Sequence, residues 1–453
     1  MSKIERCVEL FQGIPGPASP LERLRQAKPP APPRTWKSCS SGRSPIAIPV
    51  VKTHEQSSRP STPHGPALAQ IALGFGGLFI GTGEFAAMGL LPGMANTAQV
   101  SIPEAGHFIS AYALGVVIGS PALAVVTARM EKRSLLMLLG LIVLAGNALS
   151  ACASSFWGLA AARFAAGLPH GAYYGTASIV AAALVPREQR AQAIGRVMLG
   201  LAAANLIGVP LTTWLGQAFG WQSTFALVAL GGLALVGLLR VALPHIPAQD
   251  GASPLGELSA FTSVQVWLTL ATATIGFGGM FAVYSYISPT LTEATGIAEG
   301  SVPLFLALWG LGMCLGNVAG GWMADRALIP AIFAIMVWNA ITLALFWFAV
   351  SSPLMTGASL FLIGIGFALV PALQSRLMEV APKAQSLAAA MNHSAFNLSN
   401  AIGAWTGGVA IAAGLGWAST GPVGASLALG GLTMMCLSAA LAARSSHRRA
   451  APR

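Results

Sequence analysis

From residue 67 onward the chain is a succession of long apolar runs separated by short polar breaks. Twelve runs stand out, at residues 67–92, 106–127, 134–154, 156–185, 192–218, 222–243, 264–290, 302–324, 328–350, 354–374, 386–414 and 421–443. A hydrocarbon core of about 30 Å needs about 20 helical residues, and each run reaches that length. The runs are unbroken rather than alternating, so they predict membrane-spanning helices and not the strands of a barrel. The 52 glycines, many of them inside the runs, suit helices that approach closely in lipid.

The breaks set the orientation. Numbered from the N-terminus, the even breaks carry the bases: Arg129, Lys132 and Arg133, then Arg187, Arg190 and Arg196, then Arg240, then Arg326, then Arg376 and Lys383. The odd breaks carry no Lys or Arg, only Glu104, Glu293 and Glu299 or no charge. This positive-inside alternation places both termini in the cytoplasm and supports the count of twelve, since losing one span would scramble it.

Composition agrees. Only 9% of the residues are charged and 55% are hydrophobic, whereas a soluble domain carries about 25% charged residues. The net charge of +11 does not point to nucleic acid: residues 1–66 hold ten Lys/Arg against four Glu, and most of the remaining excess flanks the spans. Those 66 residues also hold twelve of the 29 prolines, which predicts a disordered, basic N-terminal tail. The five cysteines are scattered, with no spacing for a disulfide framework or a metal. No phosphate-binding G-x-x-x-x-G-K-[ST] loop is present, and no cofactor or metal site is expected.

The chain repeats itself. GFGGLF at 74–79 recurs as GFGGMF at 276–281, ANLIG at 204–208 as SNAIG at 399–403, FGW at 219–221 as LGW at 415–417, and TARMEKR at 127–133 aligns with ADRALIP at 324–330. Four matches at offsets of about 195–202, in chain order, divide the chain into an N-terminal six-helix half (67–243), a cytoplasmic linker (244–263), a C-terminal six-helix half (264–443) and a basic C-terminal tail (444–453). Two such halves predict a transporter whose binding site lies between them and opens to either side in turn.

Polar residues inside the runs are the candidate site. Glu84 is the only charged residue between His64 and Glu104. Counted at 1.5 Å per residue it lies about 25 Å from the inner face. Arg163, about 10 Å in from the outer end of the fourth span, comes to a comparable depth. An ionised side chain there costs at least about 3 kcal/mol, so both must face the protein interior or water. Two solutions are open: a mutual pair, or a carboxyl that stays protonated. Glu84 is therefore the candidate proton carrier, and Arg163 either modulates it or pairs with it structurally. Pro169 and His170 in GLPHGAYYG sit deep in the fourth span, where proline breaks the backbone ladder and histidine can bind substrate or move protons. Asn205, Tyr284, Tyr286 and Asn397 are candidates to line a substrate cavity, against a bland reading as polar glue or packing. Tyr286 falls at the repeat position of Glu84.

Together GTGEFAAMGLLP, SAYALGVVIGSPALAVVTARMEKR, ARFAAGLPHGAYYG, VPREQRAQAIGRVMLGLAAANLIGVPLTTWLGQAFGW and GGWMADR resemble the major facilitator superfamily. The resemblance is closer to its twelve-helix drug:proton antiporter branch, with arabinose-efflux-permease-like and chloramphenicol-resistance-like members. It covers about residues 67–443. The family's cytoplasmic-loop gating signature is matched by Gly321, Asp325 and Arg326 in the second half and by Arg129, Lys132 and Arg133 in the first. There Ala124 and Ala128 replace the usual Gly and Asp, and Glu131 stands where Gly is usual. Arg163 and Gly167 match the fourth-helix signature, which implies proton coupling. Gly200, Gly208 and Pro210 match the helix-bending glycine–proline pattern of antiporters, with Val209 interposed.

The resemblance implies a proton-driven exporter of small molecules such as drugs, multi-pass in a bacterial inner membrane and functional as a monomer. Its partners would be protons, a small-molecule substrate and lipid, with no nucleic acid and no catalytic residue. Sugar or nucleoside efflux or uptake is the alternative by the same fold; a sensor that moves no solute is the alternative of another class.

Overall fold

The computed structural model describes residues 65–100, 102–247 and 253–450. The predicted tail over 1–66 lies outside these, except for Gly65 and Pro66. Helix and loop make up the described residues, with no strand among them. The long helices are α1 (Pro66–Ala98), α2 (His107–Val126), α3 (Lys132–Cys152), α4 (Phe156–Gly167), α5 (His170–Ala183), α6 (Arg187–Gly216), α7 (Trp221–Ala242), α8 (Val264–Tyr284), α9 (Val302–Arg326), α10 (Leu328–Ala349), α11 (Pro353–Val380), α12 (Gln385–Leu415) and α13 (Thr420–Ala450). Helices dominate because nothing in a hydrocarbon core replaces water as a partner for backbone N–H and C=O groups.

Eleven helices among the described residues are long and apolar enough to span a bilayer on their own. The fourth apolar run crosses in two pieces instead. It is interrupted at Leu168 and Pro169, between α4 and α5. Proline has no N–H to continue the ladder, and its ring clashes with the carbonyl one turn back. α13 runs on into the basic stretch at 444–453, as far as Ala450.

Several helix starts are set by side chains. Glu131 accepts from the Ser134 amide at 2.7 Å and the Arg133 amide at 3.2 Å at the start of α3. Ser155 accepts from the Gly158 amide at 3.2 Å at the start of α4. Each satisfies donors that a helix leaves free in its first turn.

The two halves meet along α2–α12, α5–α12 and α6–α9. The repeat carries α2 onto α9 and α6 onto α12, so the α2–α12 and α6–α9 contacts are one contact used twice. Close approach has a sequence cause. A Cβ on Gly175 would lie 2.8 Å from the Ala390 amide nitrogen of α12. A Cβ on Gly195 of α6 would lie 2.6 Å from the Asn317 carbonyl of α9. Hydrogen bonds join the halves at mid-membrane and on the cytoplasmic side. Tyr284 donates to Asn205 at 3.3 Å and Ser394 to the Val116 carbonyl at 3.5 Å near the centre; Lys132 donates to Ser386 at 3.3 Å near the cytoplasmic end. The outer end of the first half has its own apolar cluster, built on Leu90, Met94, Phe108, Leu159, Trp221 and Phe225.

Candidate functional site

Glu84, just past the middle of α1, opens into a cavity of about 30 Å³ between the halves. That is room for a water or two. Its walls are mostly aromatic: Phe85 from the first half and Phe277, Phe281, Phe367 and Phe396 from the second. Polar groups join them from α5 and α12: His170, His393, Asn397 and Asn400. Glu84 keeps 12% side-chain exposure, and its Oε2 lies 3.7 Å from His170 Nδ1. That same nitrogen is 3.1 Å from the Tyr112 hydroxyl of α2.

Arg163 is fully buried on α4. Its guanidinium carbon sits 4.6 Å from the centre of the Tyr112 ring and 5.0 Å from that of Phe225. None of its three guanidinium nitrogens has a hydrogen-bond partner in the protein. Of the two solutions left open by the sequence, the mutual pair is not formed here: no salt bridge joins Glu84 and Arg163, and Glu84 turns to His170 instead. Tyr112 lies between, presenting its ring to Arg163 and its hydroxyl to His170. Glu84, His170, Tyr112 and Arg163 thus form a chain in which each member touches the next. An arginine held only by ring faces is unusual. Removing one partner of a buried ion pair costs about 3–5 kcal/mol, and a desolvated cation–π contact returns about 2 kcal/mol.

On the far side of the cavity His393 stacks on Tyr174, with ring centres 4.4 Å apart and planes 13° apart, and lies 5.2 Å from the His170 ring. Tyr174 donates to the Gly77 carbonyl at 2.8 Å. Sequence reasoning missed Tyr112 and His393. The signal for His393 was present, since NHSAFN puts a histidine in an apolar run just as GLPHG does. Tyr112 carried none, because a lone tyrosine in a span reads as packing.

The other candidates divide. Asn397 lines the cavity and donates to the His393 carbonyl at 3.1 Å. Asn205 and Tyr284 bond to each other beside a neighbouring recess shared with Trp309 and Phe367. Tyr286 lines neither; its hydroxyl donates to the Ala404 carbonyl at 2.7 Å and packs on α12. A π-turn at Thr272–Gly276 adds a residue to one turn of α8 and rotates the remainder of that helix by about 100°. Phe281, not Tyr286, lines the cavity, and α8 is interrupted at Ser285 and Tyr286.

Pro169 lies at the break between α4 and α5, as the N-cap of α5. Gly200 and Gly208 sit at points of close packing. A Cβ on Gly200 would run into the Gly74 carbonyl of α1, and one on Gly208 into the Thr82 hydroxyl. The irregularity in α6 is a π-turn at Ala204–Gly208, where the Val209 amide reaches the Ala204 carbonyl. It directly precedes Pro210, which has no N–H to give.

At the cytoplasmic end, Asp325 accepts from the Ala191 amide at 2.7 Å and the Gln192 amide at 2.9 Å, capping α6 from the other half. Gly321 permits this: a Cβ there would lie 2.7 Å from the Ala191 carbonyl. Arg326 lies over the Trp322 ring at 3.5 Å, and Arg129 is exposed. Arg133 donates to the Arg240 carbonyl. Glu131 accepts from the Ile246 amide at 3.1 Å and so anchors the linker to the first half. Burial works to raise the Glu131 carboxyl, but bonds from Ser134, Ile246 and Arg133 together bring it below its usual value. A cleft of about 590 Å³ opens here, lined by Arg187, Arg190, Asp325 and Glu379, well away from Glu84.

A sequence model described as Major Facilitator Superfamily matches residues 73–404 and 270–452. The inner membrane transport protein YdhP of Escherichia coli K12 is 38% identical over 372 residues, covering 82% of this chain and 95% of that protein. The putative transporter AraJ of the same strain is 33% identical, covering 77% and 89%. A probable sugar efflux transporter of Pasteurella multocida is 28% identical, covering 81% and 91%. Among solved structures, the E. coli fucose:proton symporter FucP superposes with a TM-score of 0.65 at 14% identity, covering 83% of this chain and 99% of that one.

Proposed function

We propose that this chain, which belongs to the Major Facilitator Superfamily and is a multi-pass transporter of the bacterial inner membrane, exports small molecules in exchange for protons. The observation that carries this reading is the cavity: one carboxyl, Glu84, faces an aromatic-walled space between the halves and has no fixed cation. A charged carboxylate there is costly unless something covers it. A proton can cover it, and so can a substrate with a donor or positive charge. The two compete for one group, and competition for one group is what makes an exchanger. Protonation from outside releases substrate outward; loss of the proton inward readies the carboxylate for the next substrate. Arg163, reached through Tyr112 and His170, favours the ionised state when the carboxylate is empty. Guanidinium keeps its charge throughout, so Arg163 sets the balance but carries no proton. The cycle needs no cofactor beyond the proton gradient, and one chain holds the whole pathway.

Sugar efflux is the second reading, favoured by likeness to the probable sugar efflux transporter and by Asn397 and Asn400 in the cavity wall. The phenylalanine walls favour a more apolar, amphipathic substrate. A growth screen of an overproducing strain against antibiotics, dyes, sugars and nucleosides separates the two. Counterflow in proteoliposomes then tests transport itself: absence of counterflow with every protective compound would leave a sensor as the reading.

A further inference from the structure

The two halves are latched at their cytoplasmic ends by acids on helix N-termini, and the two latches are built differently. On one side Asp325, at the end of α9, caps α6 through the Ala191 and Gln192 amides. The repeat sends Ala191 and Gln192 to Ser386 and Leu387, the start of α12, at an offset of 195. It sends Asp325 back to Ala128 at the end of α2, at an offset of 197. Ala128 is buried and has no carboxylate to offer. The α12 start nevertheless has an acid. The Leu387 amide donates to Glu257 Oε2 at 2.9 Å, and Glu257 also meets the Ser386 amide and hydroxyl. Glu257 comes from neither half. It ends a short linker helix, Pro254–Glu257, whose first turn is fixed by the Gly256 amide bonding to Ser253 at 2.9 Å.

We infer that Glu257 of the linker stands in for the acid missing at Ala128, so that the second cytoplasmic latch is carried by the linker. Three observations make this a latch rather than a local cap. Glu257 is 5% exposed, so its carboxylate is committed to its partners. The linker helix touches both α2 and α12, one from each half. Lys132, a first-half residue 4% exposed, donates to Ser386 at 3.3 Å and faces Glu257 with opposite charge. The start of the linker is tied to the first half too, since the Lys132 amide donates to the Ile246 carbonyl at 2.9 Å. An acid at a helix N-terminus gains from the free amides and from the helix dipole together. When the cytoplasmic face opens, α12 must leave Glu257 or take the linker away from α2. Either way the linker changes position with the gate, whatever solute is carried.

The test uses full-length protein with its native cysteines replaced and nitroxide labels at Gln189 and Lys383, one per half on the cytoplasmic side. Pulsed dipolar spectroscopy in proteoliposomes reads the distance between them. Glu257→Ala is expected to raise the ratio of open to closed distances about tenfold or more, as expected for loss of charge-assisted bonds to buried amides. Asp325→Asn should shift it the same way. Ala128→Asp added to Glu257→Ala should return the short distance, because it restores the acid where the repeat places it. Glu257→Gln, which keeps size but not charge, covers the case in which Glu257→Ala does not fold, and a smaller shift is expected. A Glu257 variant with the wild-type distance distribution would overturn the inference. So would a shift that Ala128→Asp leaves in place.

Discussion

Arg163 offers a prediction that runs against the usual effect of deleting a buried group. Its charge is fully out of water, and its three nitrogens donate to nothing in the protein. What holds it is the faces of Tyr112 and Phe225, together about 4 kcal/mol if both contacts are desolvated. Against this stands a desolvation cost of several kcal/mol for the ion. Methionine fills similar volume, has no donors and packs well against rings. Replacing buried ions by apolar residues of similar size is often neutral or stabilising by about 1–4 kcal/mol. Arg163→Met should therefore melt in detergent at or above the wild-type temperature, while losing exchange driven by a pH gradient. The assay pairs a thermal melt with uptake into vesicles carrying an imposed gradient. A melting temperature lowered by an amount worth about 3 kcal/mol or more would refute the reasoning, because it would mean Arg163 holds the fold together. Undiminished exchange would refute its place in coupling.

Other residues give sharper or simpler outcomes. Glu131 is held below its usual value of 4.5 by its hydrogen bonds, so its contribution is full above that pH and is lost as the pH falls further; Glu131→Gln should lower the melting temperature at neutral pH, and the gap to wild type should close in melts carried out at progressively more acidic pH below that value. Gly175→Val should push α5 off α12 at the Ala390 amide, where even a Cβ would be 2.8 Å away, and cysteine-accessibility labelling should show the cytoplasmic side more open. Tyr286→Phe removes a bond to the Ala404 carbonyl and should cost about 1 kcal/mol of stability with transport unchanged, since the residue lies outside the cavity; a changed substrate profile would contradict that placement.

The sequence made the architecture legible because the bilayer imposes it. Apolar length, alternating bases and a repeat at about 195–202 residues are all one-dimensional signals. Glu84, Arg163 and His170 were legible for a related reason: polar groups in lipid stand out by cost alone. The contact between them was not. Depth along a helix axis brought Glu84 and Arg163 level, but which face each presents depends on rotation, and rotation is set by packing. The π-turns at Thr272–Gly276 and Ala204–Gly208 then shift the register in ways that a regular helical period misses. Glu257 was hidden for the opposite reason. In a polar linker a carboxylate costs nothing, so only its three-dimensional neighbours, Leu387 and Lys132, mark it.

Whether one carboxyl is shared by proton and substrate can be read from proton flux. Proteoliposomes loaded with a pH-sensitive dye and given a substrate found by the growth screen should show substrate-driven proton movement with the wild-type chain. Glu84→Gln should abolish that movement while keeping substrate counterflow, because glutamine can still meet a substrate donor but cannot titrate. Proton movement that persists in Glu84→Gln would contradict the shared-carboxyl scheme.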